Sequence, residues 1–215
     1  MPLKYKWSDT DWVKRRSPEG MLPKNQPNGG PYNFYDTYPD VRAALMAISV
    51  HGEDLIGAEL GLYQAESFCT ILQVCKNVKK LVGVDIWEPY QDCLGGNDKF
   101  KRDLKQIEFI YNTAINYINY CGESHRAEVL QMDTVEAASE YEDEYFDFVF
   151  FDAHLTEEQL FFELSAWYPK IKTGGLVIGH DWHMPETSSA VFKFRDTNNI
   201  TNRLSSYDCT FIWKK

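Results

Sequence analysis

From Asp40 onward the chain alternates short apolar runs with longer stretches whose apolar residues recur every three or four positions. The short runs predict strands over Leu55–Leu60, Lys80–Ile86, Ala127–Gln131, Phe146–Asp152 and Leu176–His180. The longer stretches predict helices over Val41–Val50, Ser67–Asn77, Asn97–Tyr120, Thr134–Tyr141, Thr156–Ile171 and Ser188–Asn198, and Cys209–Trp213 reads as a closing strand. Lys170-Ile171-Lys172 followed by Thr173-Gly174-Gly175 predicts a helix end with glycine cap chemistry. Alternating β and α units predict an α/β fold: a mainly parallel sheet with helices on both faces. Ligands in such sheets bind beyond the carboxyl ends of the strands, so the residues that end each strand carry the functional reading.

The first 38 residues break this rhythm. Five of the nine prolines lie among them, with Gly29-Gly30 before the last, so residues 1–38 read as an irregular arm and 39–215 as one domain. The arm is rich in Trp and Tyr, which predicts that it docks on the domain or on a sister subunit, as in a homodimer, or serves as a lid. Charge follows the same division: residues 1–35 carry +3, leaving −13 of the total −10 on the remainder. The acidity argues against anionic membranes and nucleic acid as partners, since both need basic surface. The sequence shows neither a signal-peptide core nor an apolar run near the ~18–20 residues of a membrane span. Five scattered cysteines without a CxxC pair argue against a disulfide framework or a zinc site, and the expected location is cytoplasmic.

The strand ends share one chemistry. They read Glu59-Leu60-Gly61, Asp85, Met132-Asp133, Asp152 and His180-Asp181, an acid at every one. Gly61 after a buried strand lets backbone approach a ligand closely. The glycine-rich pyrophosphate loops are absent, and Glu59 and Glu66 would repel phosphate. The loop suits an adenosine-type ligand that is cationic at its far end. Asp85, 24 residues beyond Gly61, stands near the offset of the acid that grips ribose hydroxyls, and Asp133 is placed to meet an adenine amino group. The competing reading is structural, with Gly61 as a tight turn and the acids as helix caps.

The ELG loop, the acid in Val82-Gly83-Val84-Asp85-Ile86, the run Phe148–His154, and Trp167–Lys172 followed by Thr173-Gly174-Gly175-Leu176-Val177-Ile178-Gly179-His180-Asp181-Trp182 carry a resemblance. Over roughly residues 50–215 the chain resembles the class I S-adenosylmethionine-dependent methyltransferases, and within them the stand-alone macrocin-type sugar O-methyltransferases. The resemblance implies a Rossmann-like, doubly wound, seven-stranded sheet with an antiparallel C-terminal strand. It implies S-adenosylmethionine contacts at Glu59, Gly61, Tyr63, Ser67, Asp85, Ile86, Asp133, Thr134 and Asp152, and catalytic roles for His154, His180 and Asp181. It also implies Mg²⁺ or another divalent metal on Asp152, Asp181 and His180. The chain departs from the family pattern at Ala65, where a second glycine is common, and in a segment after Asp152 that is one residue shorter. A positive φ at Ala65 would cost about 1 kcal/mol.

Methyl transfer from a sulfonium is an in-line displacement, so the protein must position donor and acceptor and make the acceptor nucleophilic. For a hydroxyl acceptor this takes a general base or a metal, and His154, His180 and His183 fall where the acceptor would sit. Trp87, Tyr90 and Trp182 are placed to stack on a sugar or a ring. The expected reaction is O-methylation of a small hydroxylated molecule, sugar or phenol. The alternatives are a non-catalytic methyltransferase-like binding domain, a macromolecular acceptor brought in by the basic arm, and, less favoured, a nicotinamide-dependent oxidoreductase.

Overall fold

A computed structural model of the chain describes residues 41–89, 103–153 and 156–215. In chain order these form α1 (Arg42–Ser49), β1 (Leu55–Leu60), α2 (Glu66–Val74), β2 (Val78–Asp85), α3 (Leu104–Tyr120) and β3 (Ala127–Gln131). There follow α4 (Thr134–Ala137), β4 (Phe146–Phe151), α5 (Glu157–Trp167), β5 (Ile171–Gly179), α6 (Pro185–Thr197), β6 (Ser205–Tyr207) and β7 (Thr210–Lys214). The predicted arm, 1–38, lies outside the described residues, as do the first positions of the helix predicted from Asn97.

The seven strands run in the order β3-β2-β1-β4-β5-β7-β6. Every pairing from β3 to β5 is parallel, and β7 runs antiparallel to both β5 and β6. The predicted α/β, Rossmann-like, doubly wound sheet with one antiparallel C-terminal strand is therefore the observed one. Alternation along the strands builds two cores. Leu81, Phe148, Phe150 and Ile178 pack under α1, α2 and α3, whereas Val82, Val149, Phe151 and Val177 pack under α4, α5 and α6. Because a strand's side chains alternate with period two, one apolar run serves both faces, and β4 reads as the near-continuous apolar run expected of a strand buried on both sides.

Helix boundaries follow local chemistry. Asp103 caps α3: its Oδ1 accepts from the Gln106 amide at 2.9 Å, and the Gln106 Oε1 accepts from the Asp103 amide at 2.9 Å, a reciprocal capping box. Thr156 caps α5 through the Gln159 amide at 3.1 Å. Pro185 at the first turn starts α6 three residues earlier than the pattern predicts, at the position where a missing N–H costs nothing.

One prediction is overturned. Residues 171–175 are not a helix end with a glycine cap but the start of β5. The helix stops at Trp167 and a single 3₁₀ turn over Tyr168–Lys170 leads into the strand. Gly174 does adopt a left-handed φ of +82°, yet there it forms an irregularity in β5 whose amide donates to the Lys215 carbonyl at 2.9 Å. The pairing that holds this stretch extended comes from β7, at the far end of the chain. No helix among the described residues is long and apolar enough to cross a membrane.

Candidate active site

The sheet reverses its winding between β1 and β4, and the crevice beyond the carboxyl ends of these strands is where such folds place ligands. The rim is tied together beyond the strand ends. The Gly61 amide donates to the Val84 carbonyl at 2.8 Å, Asp152 to Leu60 at 2.9 Å, and His180 to Phe151 at 3.0 Å. Gly61 is required by its neighbour across the switch point. At φ +84°, a Cβ on it would lie 2.4 Å from the Ala153 Cα and 2.6 Å from the Ala153 amide nitrogen. The sequence pattern assigns this glycine to ligand approach; the close approach seen here is that of the loop after β4.

Backbone strain gathers at the same rim. Tyr63, Ala65, Trp87 and Asp181 all hold positive φ, half of the eight non-glycine residues that do so among those described. Ala65 stands at +61°, the conformation for which a glycine would carry no penalty.

Glu59 is fully buried in β1, between Gly83 and Phe150 of the flanking strands. Ser67 at the start of α2 donates to its Oε1, and its Oε2 is buried with no partner. Burial holds the Glu59 carboxyl well above the ordinary carboxylate range; the Ser67 hydroxyl opposes this, and the Asp152 and Asp85 carboxylates reinforce it.

Asp85 ends β2 and organises the loops around it. Its Oδ2 accepts from the Leu62 and Tyr63 amides at 2.9 and 2.8 Å, and its Oδ1 from the Trp87 amide at 2.8 Å. Burial raises its pKa against the pull of these three N–H groups. The Trp87 indole donates to the Tyr63 carbonyl at 2.9 Å and its ring meets Tyr111 edge-on at 5.1 Å. Trp87 is 5 % exposed, so it is built into the loop rather than offered as a stacking surface. Ile86 beside it is exposed.

Asp133 caps α4, its Oδ1 accepting from the Val135 and Glu136 amides at 2.8 and 3.1 Å. The capping role that competes with ligand binding is thus present for this acid. Thr134 is buried and donates to Glu163 Oε1 at 2.7 Å.

Asp152, His180 and Asp181 come together at the ends of β4 and β5, adjacent strands in the sheet. The His180 Nδ1 lies 3.4 Å from an Asp152 oxygen and 3.2 Å from an Asp181 oxygen, and one donor atom from each residue fits within 4.8 Å of the others. His180 is buried and the two acids are half-buried. Trp182 follows on the same loop, its amide held by the Cys209 carbonyl at 2.9 Å and its ring packed against Phe192 and Phe211. His154 lies outside the described residues.

Glu163 is absent from the residues that the sequence pattern singles out. It occupies the apolar stripe of α5 with Leu160, Leu164 and Trp167, and a charged residue in an apolar i, i+3, i+4, i+7 pattern is the signal that would have found it.

Fold and rim together define a class I methyltransferase domain. A profile described as methyltransferase domain (Methyltransf_24) matches residues 58–182, more than half of the chain, and the chain belongs to this family of S-adenosylmethionine-dependent methyltransferases. No curated protein matches the sequence at a significant level. Among solved structures, the chain is similar in fold to a candidate caffeoyl-CoA O-methyltransferase from Staphylococcus aureus, at TM-score 0.58, 11% identity, and coverage of 85% of this chain and 89% of that one. It is likewise similar to cofactor-bound Rv0187 from MTB, at TM-score 0.54, 13% identity and coverage of 88% and 98%. A precorrin-6y C5,15-methyltransferase from Geobacter metallireducens matches at TM-score 0.55, 13% identity and coverage of 82% and 87%.

Proposed function

We propose that the protein transfers the methyl group of S-adenosylmethionine to a hydroxyl of a small molecule of sugar or phenol type, with a divalent cation at Asp152, His180 and Asp181. The observation that carries this reading is the convergence of those three side chains within 4.8 Å at the switch-point rim. Two carboxylates and an imidazole match the donor set of Mg²⁺, Mn²⁺ or a similar divalent ion, and three protein ligands leave coordination positions open. When bound, such a cation would lower the pKa of an acceptor hydroxyl.

The chain's own groups supply the rest. The Glu59 Oε2, buried without a donor, supports a place for the donor's ammonium or another N–H group, since an orphaned buried acceptor is costly until paired. Asp85 holds the loop over residues 62–63 and, through its remaining lone pairs, would accept from the ribose hydroxyls of a bound donor. Gly61, Tyr63, Ser67, Ile86, Asp133 and Thr134 complete the donor side. His180 would hold the cation together with Asp152 and Asp181, and the proton of an acceptor hydroxyl whose pKa the cation lowers would leave to solvent. With donor and acceptor held in line, positioning alone can supply on the order of 7–11 kcal/mol of the barrier.

Titration calorimetry with S-adenosylhomocysteine tests the donor reading. Binding that Asp85→Ala weakens by about tenfold is the expected result, and a flat titration of the intact protein overturns it. The metal reading is tested separately by Mn²⁺ titration followed by electron paramagnetic resonance. One bound ion, lost in Asp152→Asn, is expected; equal binding by both proteins defeats it.

A further inference from the structure

Glu163 has no role in the site as described, and its surroundings are costly for a carboxyl. It is fully buried on α5. Both of its donors, the Thr134 hydroxyl at 2.7 Å and the Gln159 side-chain amide at 3.3 Å, meet the same oxygen, Oε1. Its Oε2 is buried with no hydrogen-bond partner. An ionised carboxylate with a bare oxygen in such a place loses its hydration for nothing, so the neutral acid is the form that fits. Burial pushes its pKa up to about 8; the Thr134 and Gln159 donors oppose this, and the Asp133 and Asp152 carboxylates add to it.

A leucine would fill this stripe more cheaply, so the acceptor oxygen is the feature that distinguishes Glu163. That oxygen is spent on Thr134. One turn further along α5, the Trp167 indole donates to the Thr134 carbonyl at 2.6 Å. Helix α5 therefore grips Thr134 at both its side chain and its carbonyl. Thr134 is the first residue of α4, directly after Asp133, which caps that helix from the other side. A four-residue helix contributes almost no cooperative stability of its own. The turn between β3 and α4 is consequently shaped by α5 from outside.

We propose that Glu163 is a positioning residue for the methyl donor: through Thr134 it fixes the turn after β3 against which the adenosine end of the donor rests. The inference depends on the donor reading of the same rim.

The test is calorimetric titration of the intact 215-residue chain with S-adenosylhomocysteine, alongside thermal unfolding. Glu163→Leu is expected to weaken binding five- to twentyfold, and Thr134→Val by a similar factor. The double variant is expected to lose no more than either alone, because both substitutions cut one contact. Glu163→Gln keeps the acceptor oxygen and is expected to restore affinity to within twofold of the wild type. Asp103→Ala, which weakens the cap of α3 away from this turn, serves as a destabilised control that keeps its affinity.

Unchanged affinity in Glu163→Leu and Thr134→Val, with the wild type binding, overturns the proposal and leaves the donor reading intact. The proposal fails equally if the two losses add in the double variant, or if Asp103→Ala loses as much affinity. If Glu163→Leu does not fold, Thr134→Val and Glu163→Gln decide the question. No binding by the wild type removes the donor reading first.

Discussion

Two glycines with nearly equal dihedrals separate backbone strain from steric exclusion. Gly61 and Gly174 have φ of +84° and +82°, but a Cβ on Gly174 would have nothing within 4 Å, while one on Gly61 would sit 2.4–2.7 Å from three atoms of Ala153. An alanine at either position takes on the left-handed penalty, of which part is offset by a stiffer unfolded chain, leaving about 1 kcal/mol. At Gly61 the clash is with Ala153 backbone, which cannot rotate away as a side chain would. Overpacking of this kind adds about 1–3 kcal/mol. For a chain of this length each kcal/mol moves Tm by about 2–4 °C. Gly174→Ala is therefore expected to melt about 2–4 °C below the wild type and Gly61→Ala two to four times as far, about 4–16 °C below. Calorimetric melting of the two purified variants at one pH reads this directly. Equal shifts would refute the argument, because they would mean that the loops at the switch point part freely. A larger loss at Gly174 would refute it more strongly.

Other outcomes follow from single groups. Glu163 ionises near pH 8 when folded against an ordinary 4.5, so between those values the folded state holds a proton that the unfolded chain has released. Stability falls as pH rises through this window, by up to about 1.4 kcal/mol per pH unit. Glu163→Gln is expected to match the wild type near pH 4.5 and to exceed it by a few kcal/mol at pH 8.5; parallel Tm curves across that range would refute the buried-acid assignment. Asp103→Ala removes one half of the α3 capping box and is expected to cost about 1 kcal/mol in thermal unfolding, with no change in the pH dependence.

Much of the sheet is legible in the sequence because its central strands are buried on both faces, and even the half-buried edge strand β3 carries an apolar run. β1 and β3 match their predicted bounds, and β4 differs by one residue. Convergence of Asp152, His180 and Asp181 is legible for a topological reason: successive strands β4 and β5 are neighbours, so residues ending them must meet. What escapes the sequence pattern depends on partners far along the chain. β5 begins at Ile171 because Asp147 holds Lys172 in a 2.8 Å ion pair and the Lys215 amide reaches back to the Gly175 carbonyl. Those contacts override local glycine chemistry. β6, Ser205–Tyr207, is exposed throughout, so no apolar signal marks it. Asp133 fits two roles at one position, strand end and helix cap, and only the amide geometry separates them. Glu163 stands 29 residues from the threonine that gives it meaning.

The β6–β7 hairpin also sets an order of assembly. Until it docks, β5 is the open edge of a parallel sheet, a row of unpaired amides and carbonyls of the kind that recruits foreign strands. The hairpin is synthesised well after β5, and its turn supplies the Cys209 carbonyl that holds the Trp182 amide beside Asp181. On the ribosome, the rim at β1 and β2 is made long before the acid cluster can be locked. Nascent chains therefore expose the β5 edge until β7 emerges, and the Asp152, His180 and Asp181 cluster is set later than the rim at β1 and β2.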